Sequence, residues 1–162
     1  ALPSLRAAAL VCLLPKFGMA ESPVWIEELL KSPEARADAV QAMWRSRDSR
    51  YAYVFGAFLS DPDLEVQRQA TRGIGVFADK TQLVPLRKLF THEDLREDAL
   101  FSYAMAVPSD ISAARVRSLL KRIEEEAGGL TQSESTAVCI ALDMRLEAAG
   151  KAPVFFREGE ED

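Results

Sequence analysis

The sequence predicts an all-α chain of about nine antiparallel helices, and three observations carry that expectation. Alanine and leucine supply 43 of the 162 residues, against 21 for valine, isoleucine and threonine together. Small and straight-chain side chains lose little freedom in a helix, whereas β-branched ones favour strands. Apolar residues recur at i, i+4 and i+8, the spacing of one helical face. That stripe itself returns about every thirty residues, which marks a stack of like units.

Two residue families carry the repeat. The first reads apolar, then Arg or Gln, then alanine three further on: Leu5-Arg6…Ala9, Ala35-Arg36…Ala39, Val66-Gln67…Ala70 and Leu95-Arg96…Ala99. Its alanines are spaced by 30, 31 and 29 residues, and Leu13, Met43, Ile74 and Tyr103 stand four positions past them. In the second family Ile26, Phe55, Leu86 and Val116 recur at steps of 29, 31 and 30. Each is followed three residues later by a large apolar pair: Leu29-Leu30, Phe58-Leu59, Leu89-Phe90 and Leu119-Leu120. The families alternate with one period, so each unit holds two helices.

Taken in order, the stripe of Leu5, Ala9 and Leu13 predicts a helix over 3–17. Ser22-Pro23, Ser32-Pro33 and Asp61-Pro62 each set an N-cap side chain before a proline that suits the first turn, which starts the helices 22–31, 33–46 and 62–77. Phe55 and Phe58-Leu59 predict a helix over 50–60, Leu86 and Leu89-Phe90 one over 80–91, and Leu95 to Tyr103 one over 93–106. The helix 110–127 carries Lys121–Glu125 and Arg122–Glu126 at i, i+4 and ends at Gly128-Gly129. Thr131 and Glu134 have capping-box spacing, which opens the helix 131–149, and Gly150 closes it. Residues 1–150 read as one helical repeat domain and 151–162 as an acidic, disordered tail. Connections of two to six residues make neighbouring helices antiparallel.

Composition excludes several classes. The formal charge is −5, but residues 157–162 hold four acids and one arginine, so the rest of the chain is nearly neutral at −2. The acidic balance disfavours a nucleic-acid partner, although Arg45, Arg68 and Arg72 can form a local basic strip under it. No apolar run reaches the ~18 residues of a membrane span. Ala7–Leu14 has the length of a signal-peptide core, but Lys16 and Phe17 follow directly, so it reads as a core helix. Two cysteines rule out a disulfide scaffold, and a single histidine rules out a histidine-rich metal site. Cys12 and Cys139, each in an apolar stretch, read as buried thiols of a reducing, cytoplasmic compartment.

The segment Asp61-Pro-Asp-Leu-Glu-Val-Gln-Arg-Gln-Ala-Thr-Arg-Gly-Ile-Gly75 resembles the second helix of a HEAT-like repeat. Lys80–Phe90, with Pro85 early and Leu86, Leu89 and Phe90 on one face, is similar to the family's first helix. The likeness is strongest over 61–106, fair over 22–60 and weak beyond 108. It implies a right-handed α-solenoid, with first helices outside and second helices lining a concave surface. It also implies that Arg6, Arg36 and Arg96 stand where the family has an arginine bonded to an acid in a neighbouring turn. Gln67 departs from that pattern, which weakens an inter-repeat ladder there. Helix 3–17 matches the second-helix family with no first helix before it, so the array is expected to continue before Ala1.

Chemistry is sparse. A serine or cysteine triad requires His92 as its base, and His92 stands beside Thr91 at an inter-helix turn. There is no Cys-x-x-Cys, His-x-x-x-His, Gly-x-Gly-x-x-Gly or phosphate loop; Gly73-Ile-Gly75 reads as a close-packing feature. Glu124–Glu126 reads as a solvated face. No metal or cofactor is expected. Projection from the second helices places Asp38, Gln41, Arg45, Arg68, Arg72, Asp98, Phe101 and Ser102 on the expected concave surface. Arg45, Arg47 and Arg50 crowd a turn able to hold a phosphate or an acidic peptide, but a solvated loop with Asp48 as local counter-ion is the favoured reading. The spacing of Tyr51, Tyr53, Phe55 and Phe58 puts most of them in the inter-helix core, and one exposed tyrosine would be a candidate anchor.

The expected function is therefore a non-catalytic scaffold that binds a peptide or a domain. One alternative is an enzyme or nucleic-acid binder on the same scaffold, because HEAT-like repeats resemble those of bilin lyases and alkylpurine DNA glycosylases. Trp44, Arg45 and Asp48 would then be the residues in play. The other is a structural segment of a longer solenoid, whose partners are further repeats.

Overall fold

The computed structural model describes residues 22–156. Helix 3–17, Arg6, Cys12 and the acidic stretch 157–162 lie outside the described residues. Within the described span there are seven α-helices and no strand. They are α1 (Ser22–Lys31), α2 (Arg36–Arg45), α3 (Leu64–Val76), α4 (Leu83–Lys88), α5 (Arg96–Ala106), α6 (Ala113–Ala127) and α7 (Gln132–Ala148). Short 3-10 turns occupy Ser49–Tyr51, Phe55–Phe58, Lys80–Gln82 and Leu89–Thr91. The chain divides into two compact units, one ending at Asp79 and one starting at Lys80.

The repeat register sets the core of both units. Ala39, Ala70 and Ala99 are fully buried, and so are Ile26, Phe55, Leu86 and Val116 to within 2% exposure. Met43, Ile74 and Tyr103, four residues past the alanines, are buried as well. In the first unit α1 packs on α2, α2 stacks on α3, and α3 packs on the Phe55–Phe58 turn. In the second unit α4 packs on α5, α5 stacks on α7, and α6 packs on α7. An alanine at the centre of each second helix lets the neighbouring helix approach closely.

The main departure from expectation lies at 50–60, where two 3-10 turns replace the helix. Tyr51, Tyr53, Val54, Phe55 and Phe58 crowd this stretch around Gly56. Aromatic and β-branched residues lose side-chain freedom in an α-helix, and glycine adds backbone entropy, so tertiary burial of Phe55 decides the local geometry. The helix 80–91 is likewise a six-residue α4 between two 3-10 turns.

Two predicted helix starts also move. Ser32-Pro33 forms a turn, with the Ala35 amide bonded to the Ser32 carbonyl, and α2 begins at Arg36. At Asp61-Pro62-Asp63 the duties divide. Asp61 Oδ1 accepts the Asp63 amide at 2.9 Å, and Asp63 Oδ1 caps α3 by accepting the amides of Glu65 and Val66 at 2.8 and 3.3 Å.

The second unit shows its caps clearly. Ser112 Oγ accepts the Arg115 amide at the start of α6, and Gly128, at φ 73°, ends that helix in the left-handed region that glycine enters without a Cβ penalty. The Thr131–Glu134 capping box opens α7. At the other end of α5, the half-buried Arg145 guanidinium donates to the carbonyls of Ala104 and Val107 at 2.8 and 2.9 Å. Those carbonyls have no partner within their own helix, and a cation at a helix C-terminus also matches its dipole.

The disorder expected from residue 151 onward meets a specific tether at residues 154–156. Asp143, 5% exposed on α7, accepts the backbone amides of Val154, Phe155 and Phe156 over four bonds of 2.7–3.2 Å. A carboxylate has lone pairs for all of them, and bonds to a charged acceptor are stronger than neutral ones. Asp143→Ala is expected to release this strap and to cost about 1.5–3 kcal/mol. Amide hydrogen exchange checks this: protection at residues 154–156 should disappear while that of the α7 core persists.

Candidate functional site

A ladder of polar side chains links successive helices. Arg36 Nε donates to the Leu30 carbonyl at 2.9 Å, Gln67 Nε2 to the Asp61 carbonyl at 2.6 Å, and an Arg96 amine to the Phe90 carbonyl at 2.6 Å. Each reaches back six residues, so one second-helix position grips the stretch just before its own helix three times. The arginines do more. Arg36 also pairs with Asp61 at 3.0 Å, 25 residues on, and Arg96 pairs with Glu134 at 2.8 Å, 38 residues on. Gln67 keeps the carbonyl bond but carries no charge. These side chains are occupied within the fold, which favours a structural role over anion binding.

Between α2 and α3 a second, part-buried network assembles. Trp44 Nε1 donates to Gln69 Oε1 at 3.0 Å, Gln69 Nε2 donates to Glu65 Oε1 at 2.7 Å, and Glu65 Oε2 pairs with Arg68. The Arg45 guanidinium lies 5.5 Å from the Trp44 ring centroid, within cation–π range. Asp38, Gln41 and Arg45 follow one another at three- and four-residue steps along α2, and Arg68 and Arg72 at a four-residue step along α3, so each group lies on one face of its own helix. Asp98 and Phe101, both half-buried, belong to α5 of the second unit.

The arginine-rich turn resolves in favour of the local counter-ion. Asp48 is 8% exposed and accepts the Arg50 amide at 3.0 Å and Arg50 Nε at 2.9 Å, with a further guanidinium contact at 2.8 Å. The Arg50 side-chain bond holds its carboxyl below the usual aspartate range, against the opposing effect of burial. Asp48 is thus a capping acid with a dedicated partner.

The feature that sequence reasoning did not place is an apolar groove of about 430 Å³ in the first unit. Ile26 and Leu30 of α1, Met43 of α2, and Val54 and Phe58 line it, with Tyr53 and Glu27 at its edge. It lies between α1 and the stretch that departs from helical form. Tyr53 is 76% exposed there, the largest such value among the exposed large hydrophobics. The aromatic cluster at 51–58 was the available sequence signal; the groove itself depends on how two 3-10 turns pack against a helix.

A family model for HEAT repeats matches residues 22–104, more than half of the chain. The chain belongs to the HEAT-repeat family. No curated protein and no solved structure matches it. The HEAT-repeat match spans α1 to most of α5, and therefore contains both the α2–α3 face and the groove.

Other chemistry-bearing groups of this HEAT-repeat chain are inward-facing. Cys139 is 8% exposed, and burial pushes its thiol up. Tyr103 donates to Glu126 at 2.7 Å; burial, then that carboxylate, pushes its phenol up to about 12, so it remains a proton donor at neutral pH. Glu126, from the acidic run, also faces Arg122 at 3.7 Å and Arg87 at 3.9 Å. Among the described residues no group of three His, Cys, Asp or Glu side chains is placed to hold a metal, and no helix is long and apolar enough to cross a membrane.

Proposed function

We propose that the chain is a protein-interaction module without catalytic chemistry, and that its groove in the first unit takes a bulky apolar side chain of a partner peptide. Tyr53, exposed at the rim of an apolar groove, is the observation that carries this reading. Aromatic residues beside water-excluding pockets dominate binding energy at protein interfaces. Glu27 is the acid at the groove edge, which favours a basic residue next to the partner's apolar anchor. HEAT repeats commonly serve protein interaction, and the ladder arginines, Asp48 and Cys139 are all engaged or buried.

A second surface has its own support. The Trp44–Gln69–Glu65–Arg68 chain ties α2 to α3, and an acidic peptide or domain would meet Arg45 of α2 and Arg68 and Arg72 of α3. One experiment separates the two. Selection of a displayed random peptide library on the chain is expected to return bulky apolar residues beside Lys or Arg. Tyr53→Ala and Ala57→Trp should then weaken the selected peptides by roughly tenfold or more, with unchanged circular dichroism. Acidic consensus peptides lost on Arg68→Glu with Arg72→Glu would instead move the site to the α2–α3 face. Tight binding of duplex DNA or a tetrapyrrole, with turnover, would overturn the non-catalytic reading.

A further inference from the structure

The outer side of α6 carries a strip of cations that neither the ladder nor the groove uses. Arg115, Arg117, Lys121 and Arg122 are all exposed, and no acid stands between Ile111 and Ile123. Arg122 faces Glu126 at 3.7 Å. Arg115, Arg117 and Lys121 form no ion pair among the described residues, so the expected Lys121–Glu125 pair does not close. The order of charges also opposes the helix. α6 has no acid in its first turn and no cation in its last, where Glu124–Glu126 stand instead. Acids suit the N-terminal end of a helix and cations the C-terminal end. The arrangement therefore costs α6 stability and leaves four cations open to an anion.

The segment that follows α7 returns to this helix. α6 and α7 run antiparallel across the connection 128–131. Counted back from it, Asp143 of α7 stands about level with Val116 of α6. Residues two apart on a helix point to nearly opposite sides. Arg145 reaches the Ala104 and Val107 carbonyls at the end of α5, so Asp143 and the amides of 154–156 that it holds lie away from α5. Glu126 meets Arg87 of α4, and Arg117, about two and a half turns before it, points the other way. Arg117 and Lys121, one turn apart, thus share with residues 154–156 the side turned from α4 and α5. Lys151 adds a fixed point, its ammonium donating to the Ile111 carbonyl just before α6.

We propose that this strip receives the acidic segment 158–162 of the same chain. Sign and number match, because Glu158, Glu160, Glu161 and Asp162 bring four carboxylates to four cations. Reach suffices as well. The strip runs about 10 Å along α6 from the level of Asp143, and packed helices lie about 8–10 Å apart. Six residues beyond Phe156 span up to about 20 Å. The bordering acids set the length of the occupant. Asp110, Glu124, Glu125 and Glu147 are exposed around the strip, so a long polyanion laid along α6 runs onto like charge, whereas a short acidic segment does not. Exposed ion pairs are individually weak, but a short tether raises the local concentration of carboxylates to the millimolar range. The contact is therefore sensitive to salt, and it shields the strip from outside anions.

Carbodiimide, which joins a carboxylate to a lysine amine in contact with it, tests the pairing on the full chain at low salt. In the band of single-chain mass, peptide mass spectrometry should find Lys121 linked to a residue within 158–162. Raising salt to about 1 M, where screening acts within about 3 Å, should cut the yield roughly fivefold or more. Arg117→Glu, at an exposed position, should do the same with an unchanged thermal midpoint. A yield indifferent to salt and to Arg117→Glu would show mere nearness along the chain and overturn the proposal. A link confined to the band of twice the mass would assign the strip to a second copy, and absence of any Lys121 link to 158–162 would leave it to an outside acidic partner; either result overturns the proposal too.

Discussion

Phe55→Ala is expected to lower stability by about 3–5 kcal/mol, the largest effect of any single apolar truncation here. The ring is fully buried, stacks on Phe77 at 5.7 Å between centroids, and lies against Gly73 of α3. A Cβ at Gly73 would fall within 2.6 Å of the Phe55 ring carbons Cε1 and Cγ, and closer still to Cδ1. Carbon atoms pack best at about 3.5–4.0 Å. Alanine gains about 1 kcal/mol over glycine in a helix interior, but a rigid, buried ring cannot yield. Gly73→Ala alone should therefore cost about 1–3 kcal/mol net.

The sign of that second substitution depends on the ring. In the Phe55→Ala background the clash is gone and a cavity remains, so Gly73→Ala should now stabilise, by up to about 1 kcal/mol. Urea denaturation of the four proteins of the cycle checks this. A destabilising Gly73→Ala in both backgrounds would show that something other than the ring excludes the methyl group.

Arg96→Met is the second large effect, at about 3–5 kcal/mol. Its guanidinium donates to Glu134 at 2.8 Å and to the carbonyls of Phe90, Ala127 and Gly129 at 2.6, 3.1 and 2.8 Å. Methionine keeps the stem but leaves Glu134, 9% exposed, without its cation. Lysine does not rescue the site, because one ammonium cannot reproduce a planar fork spread over four acceptors.

The pH dependence supplies an independent readout. Burial alone pushes the Glu134 carboxyl up, but the Thr131 amide and the Arg96 guanidinium more than offset it and leave the group below its ordinary value of 4.5. A carboxyl depressed in the folded state stabilises above its unfolded pKa, and that contribution fades as pH falls from about 4.5 through the folded value. Removing Arg96 removes part of the depression. The urea midpoint of Arg96→Met should therefore fall less between neutral and acidic pH than that of the unmodified chain. An equal or steeper fall would show that Glu134 draws its stabilisation from the Thr131 cap alone.

These residues also show how far the sequence was legible. Phe55 and Arg96 both stood out by their period, and both occupy the positions which the two repeat families assign. The Gly73 close approach was readable as a small residue inside a helical stripe, and the Thr131–Glu134 box as a spacing. Other features were not. The partner of Arg96 lies 38 residues away, Arg145 caps a helix 41 residues before it, and Asp143 holds amides 11 to 13 residues after it. Nothing in local spacing selects those pairs. The 3-10 turns at 49–58 were missed because a helical stripe of aromatics is compatible with more than one backbone path, and burial of Phe55 chooses among them.

By itself, then, the sequence determined the helical class, the thirty-residue period and the residues that face the core. Those follow from side-chain entropy and from a periodicity that each helix expresses alone. Only the tertiary structure decided which carboxylate meets which guanidinium, where Tyr53 stands beside a groove, and that Ile140 and Met144 of α7 are left outward. These depend on which surfaces come together across tens of residues, and a local pattern holds no record of that.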